Sequence, residues 1–562
     1  MELDRRTFIA GAVTVGATAA VAGLAACSPK ESDETTSGGG ESPKTIDYVQ
    51  ASANLTPVDE RFVIGAVNIT DAKADEEHEA DYLVIGSGNS GLLSAARAAE
   101  LGLKVIILEK ASETGGSSFG TEAHFALDTV KYVKEQGKKT WTPAEALDYF
   151  NLYNEFRSTQ SLAASYLNHS HEAFDWWIEK GAKVNQLLGA LAGPDTGAGL
   201  FFEGRATALA DIDRSVIEAN GATVLTETKA TNLVVDDSGA VVGALAENAS
   251  GATVLVKSKA TFVATGGFST NPDMVNAYLG ARGNAETIGD SMLYHNGDGI
   301  NMMLGAGAIT GLLDTTQPGG MGIAGIDEIN TDPEAASQGS AGRAAGEPNL
   351  WVNKFGQRVG CEFWTNPTYG YMLAKWSPDY YFYSVLDSAM AKRMETEPFF
   401  CQSQFVPYTY DPVPDMTAQL DQAAEDGICY KADTIDELAE KAGINVDGIK
   451  ATIAKYNEMC ASKADTEFFK DAAMLQPIST APYYAFKMGY ARLSTLNGVM
   501  IDADCRVVDE NGAWITGLFA GGLDSAGFFM ADYNHAFSGS CSSYAFFTGF
   551  HSAEMAAEFI KG

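Results

Sequence analysis

The chain has 562 residues and a formal net charge of -35, with 73 acidic against 38 basic side chains. Like charges repel at long range, so this balance excludes nucleic acid and anionic membrane surfaces as favourable partners of the folded body. The seven cysteines form no C-x-x-C or C-x-x-C-H motif, and we predict no zinc, iron–sulfur, c-type haem or other metal site. The length predicts about two to three domains.

Residues 1–27 are typical of an export signal rather than of a folded element. Arg5 and Arg6 form a twin-arginine signature, and the next stretch is too poor in Leu and Phe for a permanent membrane span. The LAAC sequence ending at Cys27 resembles a lipobox, in which Cys27 would carry a lipid anchor; the alternative is a cleavage region with a chance cysteine. We expect twin-arginine export to an extracytoplasmic location, followed by a flexible tether and lead-in over residues 28–78.

A strand, a glycine turn and a helix follow one another between Tyr82 and Leu101. Gly86 permits the tight turn, Gly88 allows a pyrophosphate to approach the backbone, and Gly91 lets the helix pack on the strand. The phosphates would bind the N–H groups at the positive end of that helix. The next apolar run ends in Glu109, whose carboxylate can accept hydrogen bonds from the ribose of NAD or FAD. These residues alone leave both dinucleotides open.

The segment from Lys110 to Ser118, with its Gly-Gly pair, resembles the EK-x(n)-GG-(S/N)-(S/T/A) segment of the fumarate reductase and succinate dehydrogenase flavoprotein family. That family includes urocanate reductases and relatives of 3-ketosteroid dehydrogenases. The resemblance implies FAD as the cofactor and an α/β fold, in which a Rossmann-like FAD-binding domain carries an inserted α+β capping domain for the substrate. On this basis residues 79–312 and 496–562 form the FAD-binding domain and residues 313–495 the capping domain.

Periodic apolar residues between Pro143 and Lys183 predict helices. Branched runs at residues 222–225, 232–236 and 241–246 predict strands, the last two joined by a hairpin turn. The stretch from Thr261 to Phe268 resembles the strand-plus-ATGG element of the family.

Downstream segments resemble the family as far as the C-terminus. Those at residues 350–362, 432–439 and 452–457 are fold markers, whereas those at residues 514–522 and 537–542 return to the flavin. The N-terminus of the last helix would stabilise negative charge at the pyrimidine end of the reduced flavin. Together with the glycine motif, the resemblance implies these cofactor contacts: Gly86, Ser87, Gly88, Ser90, Gly91, Glu109, Lys110, Gly115, Gly116, Ser117, Ser118, Ala230, Thr265, Gly266, Gly267, Asp298, Gly522, Gly539, Cys541 and Ser542.

The catalytic positions depart from the family. The arginine with which its fumarate reductases protonate the substrate falls on Asn366, and the arginine before the last glycine pair falls on Ala536. No pair of cations remains to clamp two carboxylates, so we predict that fumarate is not the substrate. Aromatic residues replace the cations and suit an enone or an aryl-conjugated alkene. The candidate catalytic residues are Tyr369, Tyr371, Arg492, Tyr533 and His535.

The expected reaction is hydride transfer from flavin N5 to the β carbon of an activated double bond, with a tyrosine or His535 protonating the α carbon. The chain has no motif for a second redox centre, so we expect a separate electron donor, a membrane cytochrome or a quinol-linked protein. Two alternatives remain. One is a ketosteroid-type dehydrogenase that runs the reverse desaturation, and the other is a non-catalytic exported lipoprotein that binds flavin or another ligand.

Overall fold

The computed structural model describes residues 55–117, 121, 123–137, 140–189, 197–288, 294–323, 339–362, 373–401, 408–531, 533, 537 and 539–562. The predicted export signal with Cys27 and the tether up to residue 54 lie outside the described residues. The same holds for four predicted site residues: Ser118, Tyr369, Tyr371 and His535.

The helices of the described residues are α1 (Asn89–Glu100), α2 (Lys131–Glu135), α3 (Pro143–Tyr153), α4 (Gln160–Glu179), α5 (Arg205–Ala219), α6 (Pro272–Tyr278), α7 (Gly280–Ala285), α8 (Asp298–Gly305), α9 (Gly339–Ala345), α10 (Ser388–Thr396), α11 (Met416–Glu425), α12 (Ile435–Ala442), α13 (Val446–Ser462) and α14 (Ser540–Lys561). The strands are β1 (Val67–Asn68), β2 (Glu76–Ile85), β3 (Val105–Leu108), β4 (Ala123–Phe125), β5 (Val184–Gly189), β6 (Gly197–Phe202), β7 (Thr223–Leu225), β8 (Thr228–Val235), β9 (Val241–Asn248), β10 (Thr253–Val263), β11 (Thr287–Ile288), β12 (Thr316–Ile323), β13 (Leu350–Val352), β14 (Tyr381–Asp387), β15 (Phe399–Cys401), β16 (Tyr408–Tyr410), β17 (Tyr430–Ala432), β18 (Tyr483–Thr495), β19 (Val499–Met500), β20 (Arg506–Val508), β21 (Trp514–Ala520) and β22 (Ser525–Ala526).

A parallel sheet in the order β7-β3-β2-β10-β21 organises the first part of the fold. Tyr82 of β2 pairs with Val105 of β3 on one side and with Ala260 of β10 on the other. The side chains of β3 are all buried, as expected for a parallel strand covered by helices on both faces. The predicted α/β class with a Rossmann-like sheet is therefore confirmed.

The C-terminal helix α14 lies directly against α1. A Cβ atom at Gly549 would collide with the carbonyl oxygen of Ser90, so this close approach requires glycine. Ser90 Oγ lies 3.3 Å from Thr548 Oγ1, and Arg97 of α1 donates to Glu554 of α14 at 2.6 Å. The first and last helices of the fold thus share one hydrophobic core on the same face of the parallel sheet.

The local predictions downstream of the glycine motif also match the structure. Helices α3 and α4 occupy the predicted helical region, and strands β8 and β9 form the predicted antiparallel hairpin. In its turn, Asp236 Oδ1 accepts the backbone N–H of Ser238 at 2.8 Å. Trp177 of α4 is buried and donates from Nε1 to Asp213 Oδ1 at 2.7 Å, so it is a core residue.

A second hydrophobic core draws on residues between Ala341 and Tyr490. Its sheet has the order β11-β18-β14-β13, with β12 and β17 also paired to β18. Thr434 accepts the backbone N–H of Glu437 at 3.2 Å and so caps α12. The exact limits of the capping domain stay a prediction. No helix in the described ranges combines the length and the apolar character needed to cross a membrane.

Candidate active site

A cleft opens at the carboxyl ends of β2, β3 and β10, where ligands bind in open parallel sheets. It is lined by Ile85, Gly86, Ser87, Gly88, Leu108, Glu109, Lys110, Gly116, Ser117, Thr228, Lys229, Ala230, Ala264, Thr265, Gly266, Tyr294, His295, Asp298 and Met302. Most of the predicted cofactor contacts in the N-terminal part of the chain therefore line this one cleft.

The glycine turn has the backbone geometry that a bound pyrophosphate requires. Gly86 has a φ of 96°, and a Cβ atom there would collide with the carbonyl of Ala264. Gly88 is the N-cap of α1, and a Cβ atom there would meet no atom within 4 Å. This open space lies in front of the helix N-terminus, where N–H groups and the helix dipole favour an anion. A Cβ atom at Gly91 would collide with Gly86, so that glycine is needed for the turn itself.

Glu109 holds the glycine loop in place. Its Oε2 accepts hydrogen bonds from the backbone N–H of Ser87 at 2.9 Å and from Ser87 Oγ at 2.5 Å, while Oε1 accepts the N–H of Ala111 at 2.8 Å. The backbone N–H of Gly115 donates to the carbonyl of Ser87 at 2.9 Å and ties the second glycine pair to the first turn. Glu109 therefore orders the loop as well as lying at the edge where a ribose would bind.

Two lysines and one carboxylate form the charged rim of the cleft. Asp298 is the first residue of α8, and its carboxylate pairs with Lys110 Nζ at 2.8 Å and with Lys229 Nζ at 3.1 Å. Burial opposes the charge of Asp298, but the hydrogen bond and the charge of Lys110 outweigh it and lower the pKa of the carboxyl. The carboxylate of Asp298 thus stays ionised between the two lysines at the rim of the cleft.

Asp524 lies under the cleft and is a residue that sequence reasoning missed. Its Oδ2 accepts from the backbone N–H groups of Thr265 and Gly266 and from Thr265 Oγ1, the last at 2.8 Å. Burial raises its pKa to about 6. Within the described part of the chain its Oδ1 is buried without a hydrogen-bond partner. Gly267, the next residue after Gly266, packs against Thr495 of β18. A Cβ atom at Gly267 would collide with the Thr495 hydroxyl.

A buried histidine links the two glycine loops. His295 Nε2 lies 3.1 Å from Ser117 Oγ, and its Nδ1 lies 3.3 Å from Ser269 Oγ. Burial, followed by the charge of Lys110, lowers the pKa of His295 to about 4, so the ring is neutral at pH 7. Its neutral ring carries one N–H and one acceptor nitrogen, which suits the two hydroxyls that it connects.

The N-terminus of α14 forms the far end of the site. Gly539 is its N-cap with a φ of 86°, and a Cβ atom there would collide with the backbone at Ala123. Cys541 and Ser542 lie in the first turn, and Ser542 Oγ lies 2.9 Å from His124 Nδ1. Nearby, the N–H of Gly522 donates to Thr548 Oγ1 at 2.9 Å. The helix dipole at this end favours developing negative charge.

An aromatic wall surrounds that helix end; we define it as Phe150, Tyr166, Phe528, Phe529, Tyr533 and Phe537, all buried. Phe528 stacks on Phe150 with ring centroids 4.3 Å apart, and Tyr166 meets Phe528 edge to face at 4.7 Å. The hydroxyl oxygen of Tyr533 accepts the backbone N–H of Gly539 at 2.9 Å. Tyr533 therefore presents the wall's polar group directly at the N-terminus of α14.

Arg492 lies in a buried ion cluster between the two hydrophobic cores. Its Nη1 pairs with Glu286 Oε2 at 2.5 Å and donates to the carbonyl of Gly283 at 3.2 Å, while Nη2 donates to the carbonyl of Ser269 at 3.3 Å. Arg282 lies 3.3 Å from the same carboxylate. These contacts favour a structural clamp over substrate binding, and the catalytic role of Arg492 stays a prediction.

The residues present fit FAD. The open space at Gly88 accepts a pyrophosphate, the unpartnered Oδ1 of Asp524 is available to a hydroxyl, and the α14 terminus suits the pyrimidine carbonyl of a flavin. The cleft and the aromatic wall are brought together by the packing of α14 on α1. Fold and site together define an FAD-dependent oxidoreductase.

The chain belongs to the FAD binding domain family, whose sequence profile matches residues 81–536. It is 28% identical over 489 residues to the vinyl phenol reductase of Lactiplantibacillus plantarum, covering 85% of this chain and 96% of that protein. It is 27% identical over 453 residues to the urocanate reductase of Eggerthella lenta, covering 79% of this chain and 69% of that protein. It is accordingly a fumarate reductase-like enzyme that acts on CH–CH bonds and uses FAD.

Solved structures agree on the fold. The 3-ketosteroid-Δ4-(5α)-dehydrogenase of Rhodococcus jostii RHA1 superposes with a TM-score of 0.66 at 20% identity, covering 88% of this chain and all of that chain. A flavocytochrome c3 fumarate reductase in an open conformation superposes with a TM-score of 0.63 at 21% identity, covering 87% and 80% of the two chains.

Proposed function

We propose that the protein reduces an activated carbon–carbon double bond conjugated to an aryl ring or a carbonyl group, and that fumarate is not its substrate. The observation that carries the proposal is the aromatic wall at the N-terminus of α14, with the Tyr533 hydroxyl bonded to Gly539 at 2.9 Å. The wall packs on itself and is 0–3% exposed, and we propose that the substrate meets it at its Tyr533 edge, where aromatic and apolar surroundings favour a ligand of the same character.

Charge argues in the same direction. A dicarboxylate substrate needs cations that bind its carboxylates in pairs of hydrogen bonds. Arg492, the arginine among the candidate catalytic residues, already neutralises Glu286 in the protein interior. Releasing Arg492 to a substrate would leave the buried carboxylate with Arg282 alone, at 3.3 Å. A substrate that is neutral, or that carries a single polar group, does not require Arg492 to leave Glu286.

FAD, held by the cleft at Gly86, Gly88 and Glu109, would supply the hydride that is added to the double bond. The protein has to provide the proton for the α carbon and a position for the growing negative charge. Tyr533 suits the first task because its hydroxyl lies at the N-terminus of α14, 2.9 Å from the backbone nitrogen of Gly539. Burial raises the pKa of this hydroxyl, so it holds its proton until charge develops on the substrate. The N-terminal turn of α14, with Gly539, Cys541 and Ser542, suits the second. The net change is one hydride and one proton added across the double bond.

The relatives support this substrate class. The vinyl phenol reductase, matched over 96% of its length, is named for an aryl-conjugated alkene, and the urocanate reductase is named for an unsaturated acid that carries an imidazole ring. Both names describe a double bond conjugated to an aromatic ring, and we assign the same class to this chain.

Export and the electron donor complete the proposal. The twin arginines Arg5 and Arg6 support export of the folded, cofactor-loaded protein, and Cys27 supports a lipid anchor. We propose that electrons arrive from a separate membrane-linked cytochrome or quinol-dependent partner. Rapid reduction of the purified protein by NADH alone would contradict this part of the proposal.

The experiment is a single-turnover assay under anaerobic conditions. The flavin is reduced photochemically and mixed with a vinyl phenol, a cinnamic acid, a steroid enone and fumarate in separate runs, and reoxidation is followed at the visible flavin band. We expect the aryl-conjugated alkenes to reoxidise the flavin fastest and fumarate to be inert. Reoxidation by fumarate would overturn the substrate class, dye-coupled oxidation of a saturated steroid ketone would support the dehydrogenase alternative, and reoxidation by no alkene would support the non-catalytic one.

A further inference from the structure

Two histidines and a glutamate meet on the face of the fold where α4 packs against α14. His169 and Glu172 lie one turn apart on α4, and His551 comes from α14. One ligand atom from each side chain lies within 4.8 Å of the others. None of the three belongs to the cofactor cleft or to the aromatic wall.

We propose that this cluster, the α4–α14 cluster, binds one divalent transition-metal ion of the zinc type. Two imidazoles and one carboxylate are the donors that such ions prefer, and they leave a further position for water. Ligand atoms of a tetrahedral site are about 3.3 Å apart, so the widest separation of 4.8 Å has to shorten by about 1.5 Å, which side-chain torsions can supply.

The buried member of the cluster has a free coordinating group. His551 is 7% exposed, and in the part of the chain that the structure describes its ring makes stacking contacts but no hydrogen bond. Its ring centroid lies 5.2 Å from that of His169. Stacking alone does not use the lone pair of a buried imidazole, and a metal ion would.

The surroundings favour a cation. His169 Nδ1 lies 2.9 Å from Glu172 Oε1, which already orients the first two donors toward each other. The carboxylates of Asp504 and Glu554 also act on His551 and add negative charge around it.

The site would tie the last helix of the fold to α4. His551 follows Ser540 by 11 residues in α14, which corresponds to about 16 Å along the helix axis at 1.5 Å per residue. The ion would therefore be a structural clip that holds α14, and with it the flavin end of the site, against the body of the protein. It would lie too far from the helix N-terminus to take part in the chemistry.

The test uses the full-length, FAD-loaded protein, freed of purification tags and dialysed against a chelator. Zn²⁺ is titrated by calorimetry, and melting temperature is recorded with and without the ion. We expect one equivalent to bind to the wild type, and His169→Ala and Glu172→Gln each to weaken binding at least about tenfold. Both variants change half-exposed side chains, so folding should be preserved.

The matched control is His78→Ala. His78 lies 3.9 Å from Glu76 and forms a similar His–Glu pair without a third ligand. It should bind Zn²⁺ like the wild type and show the same rise in melting temperature, whereas His169→Ala should show none. With Cu²⁺ in place of Zn²⁺, electron paramagnetic resonance should show coupling to two nitrogens in the wild type and to one in His169→Ala. Absence of binding, or equal binding by His169→Ala and the wild type, would overturn the proposal.

Discussion

The backbone nitrogen of Gly539 lies 2.9 Å from the hydroxyl oxygen of Tyr533, to which it donates a hydrogen bond. Gly539 caps α14, so the oxygen of Tyr533 lies at the positive end of that helix. This pair joins the two halves of the site, the helix terminus and the aromatic wall.

Replacement of Tyr533 by Phe should slow reoxidation of the reduced flavin by an aryl-conjugated alkene about 100-fold, the loss typical of a missing general acid. The control is Tyr166→Phe, which removes a buried hydroxyl from the same wall, one that lies 2.6 Å from Ser543 Oγ. It should change the rate less than about threefold. Stopped-flow absorbance measures both. An unaltered rate in Tyr533→Phe would assign the proton to another group.

Replacement of Glu109 by Ala should weaken FAD binding about 10- to 100-fold. The variant leaves the N–H and hydroxyl of Ser87 and the N–H of Ala111 without their acceptor, at a cost of about 1–3 kcal/mol. Fluorescence titration of the apoprotein with FAD gives the dissociation constants. Glu113→Ala, an exposed change on the same loop, should bind FAD like the wild type. Equal affinity of Glu109→Ala would show that the loop is ordered by other contacts.

Asp524 should make the protein less stable as the pH rises from about 4 to about 6. Its pKa is about 6 in the folded state against a usual value of 3.8 for an aspartate side chain, so in this interval the folded state binds more protons than the unfolded state. The shift corresponds to about 2–3 kcal/mol of stability, present below pH 4 and lost above pH 6. Urea unfolding at several pH values should show this slope in the wild type and a flatter one in Asp524→Asn. Identical slopes would mean that Asp524 does not titrate there.

Replacement of Arg492 by Met should lower the free energy of unfolding by about 3 kcal/mol, because Glu286 then keeps a buried charge with, among the described residues, Arg282 alone as its cation. Adding Glu286→Gln to the variant should recover part of the loss. The control is Arg157→Met, which breaks an exposed pair with Glu155 and should cost less than about 1 kcal/mol. Urea unfolding gives the free energies. A stable but inactive Arg492→Met would instead restore the catalytic role.

The sequence predicted the parts of the fold that depend on short stretches of chain. The glycine turn, the strand before it and the helix after it are contiguous. Gly86 and Gly91 have no room for a Cβ atom, and Gly88 leaves the space in front of the helix N-terminus open. The hairpin at Asp236 and the cap at Thr434 are local for the same reason. In these cases backbone conformation and hydrophobic period decide the structure before any distant contact forms.

What escaped prediction depends on contacts between distant segments. Arg492 has the right chemistry for a substrate clamp, and only the approach of Glu286 from α7's C-terminal end assigns it to an ion cluster. Asp524 comes shortly after the glycines that follow β21, and no sequence motif marks it. Its contact with Thr265 arises because β10 and β21 are neighbours in the sheet. His169 and His551 are likewise far apart in the sequence, and only the packing of α4 on α14 brings them together.

The close packing of Gly549 on Ser90 has a consequence for how the enzyme is made. Thr548 of α14 follows Ser90 by 458 residues in the chain, yet α14 completes the layer against which the first nucleotide-binding helix rests. FAD can therefore find its finished site only after α14 has been synthesised and has packed on α1, so loading of the cofactor waits for a distant segment of the chain.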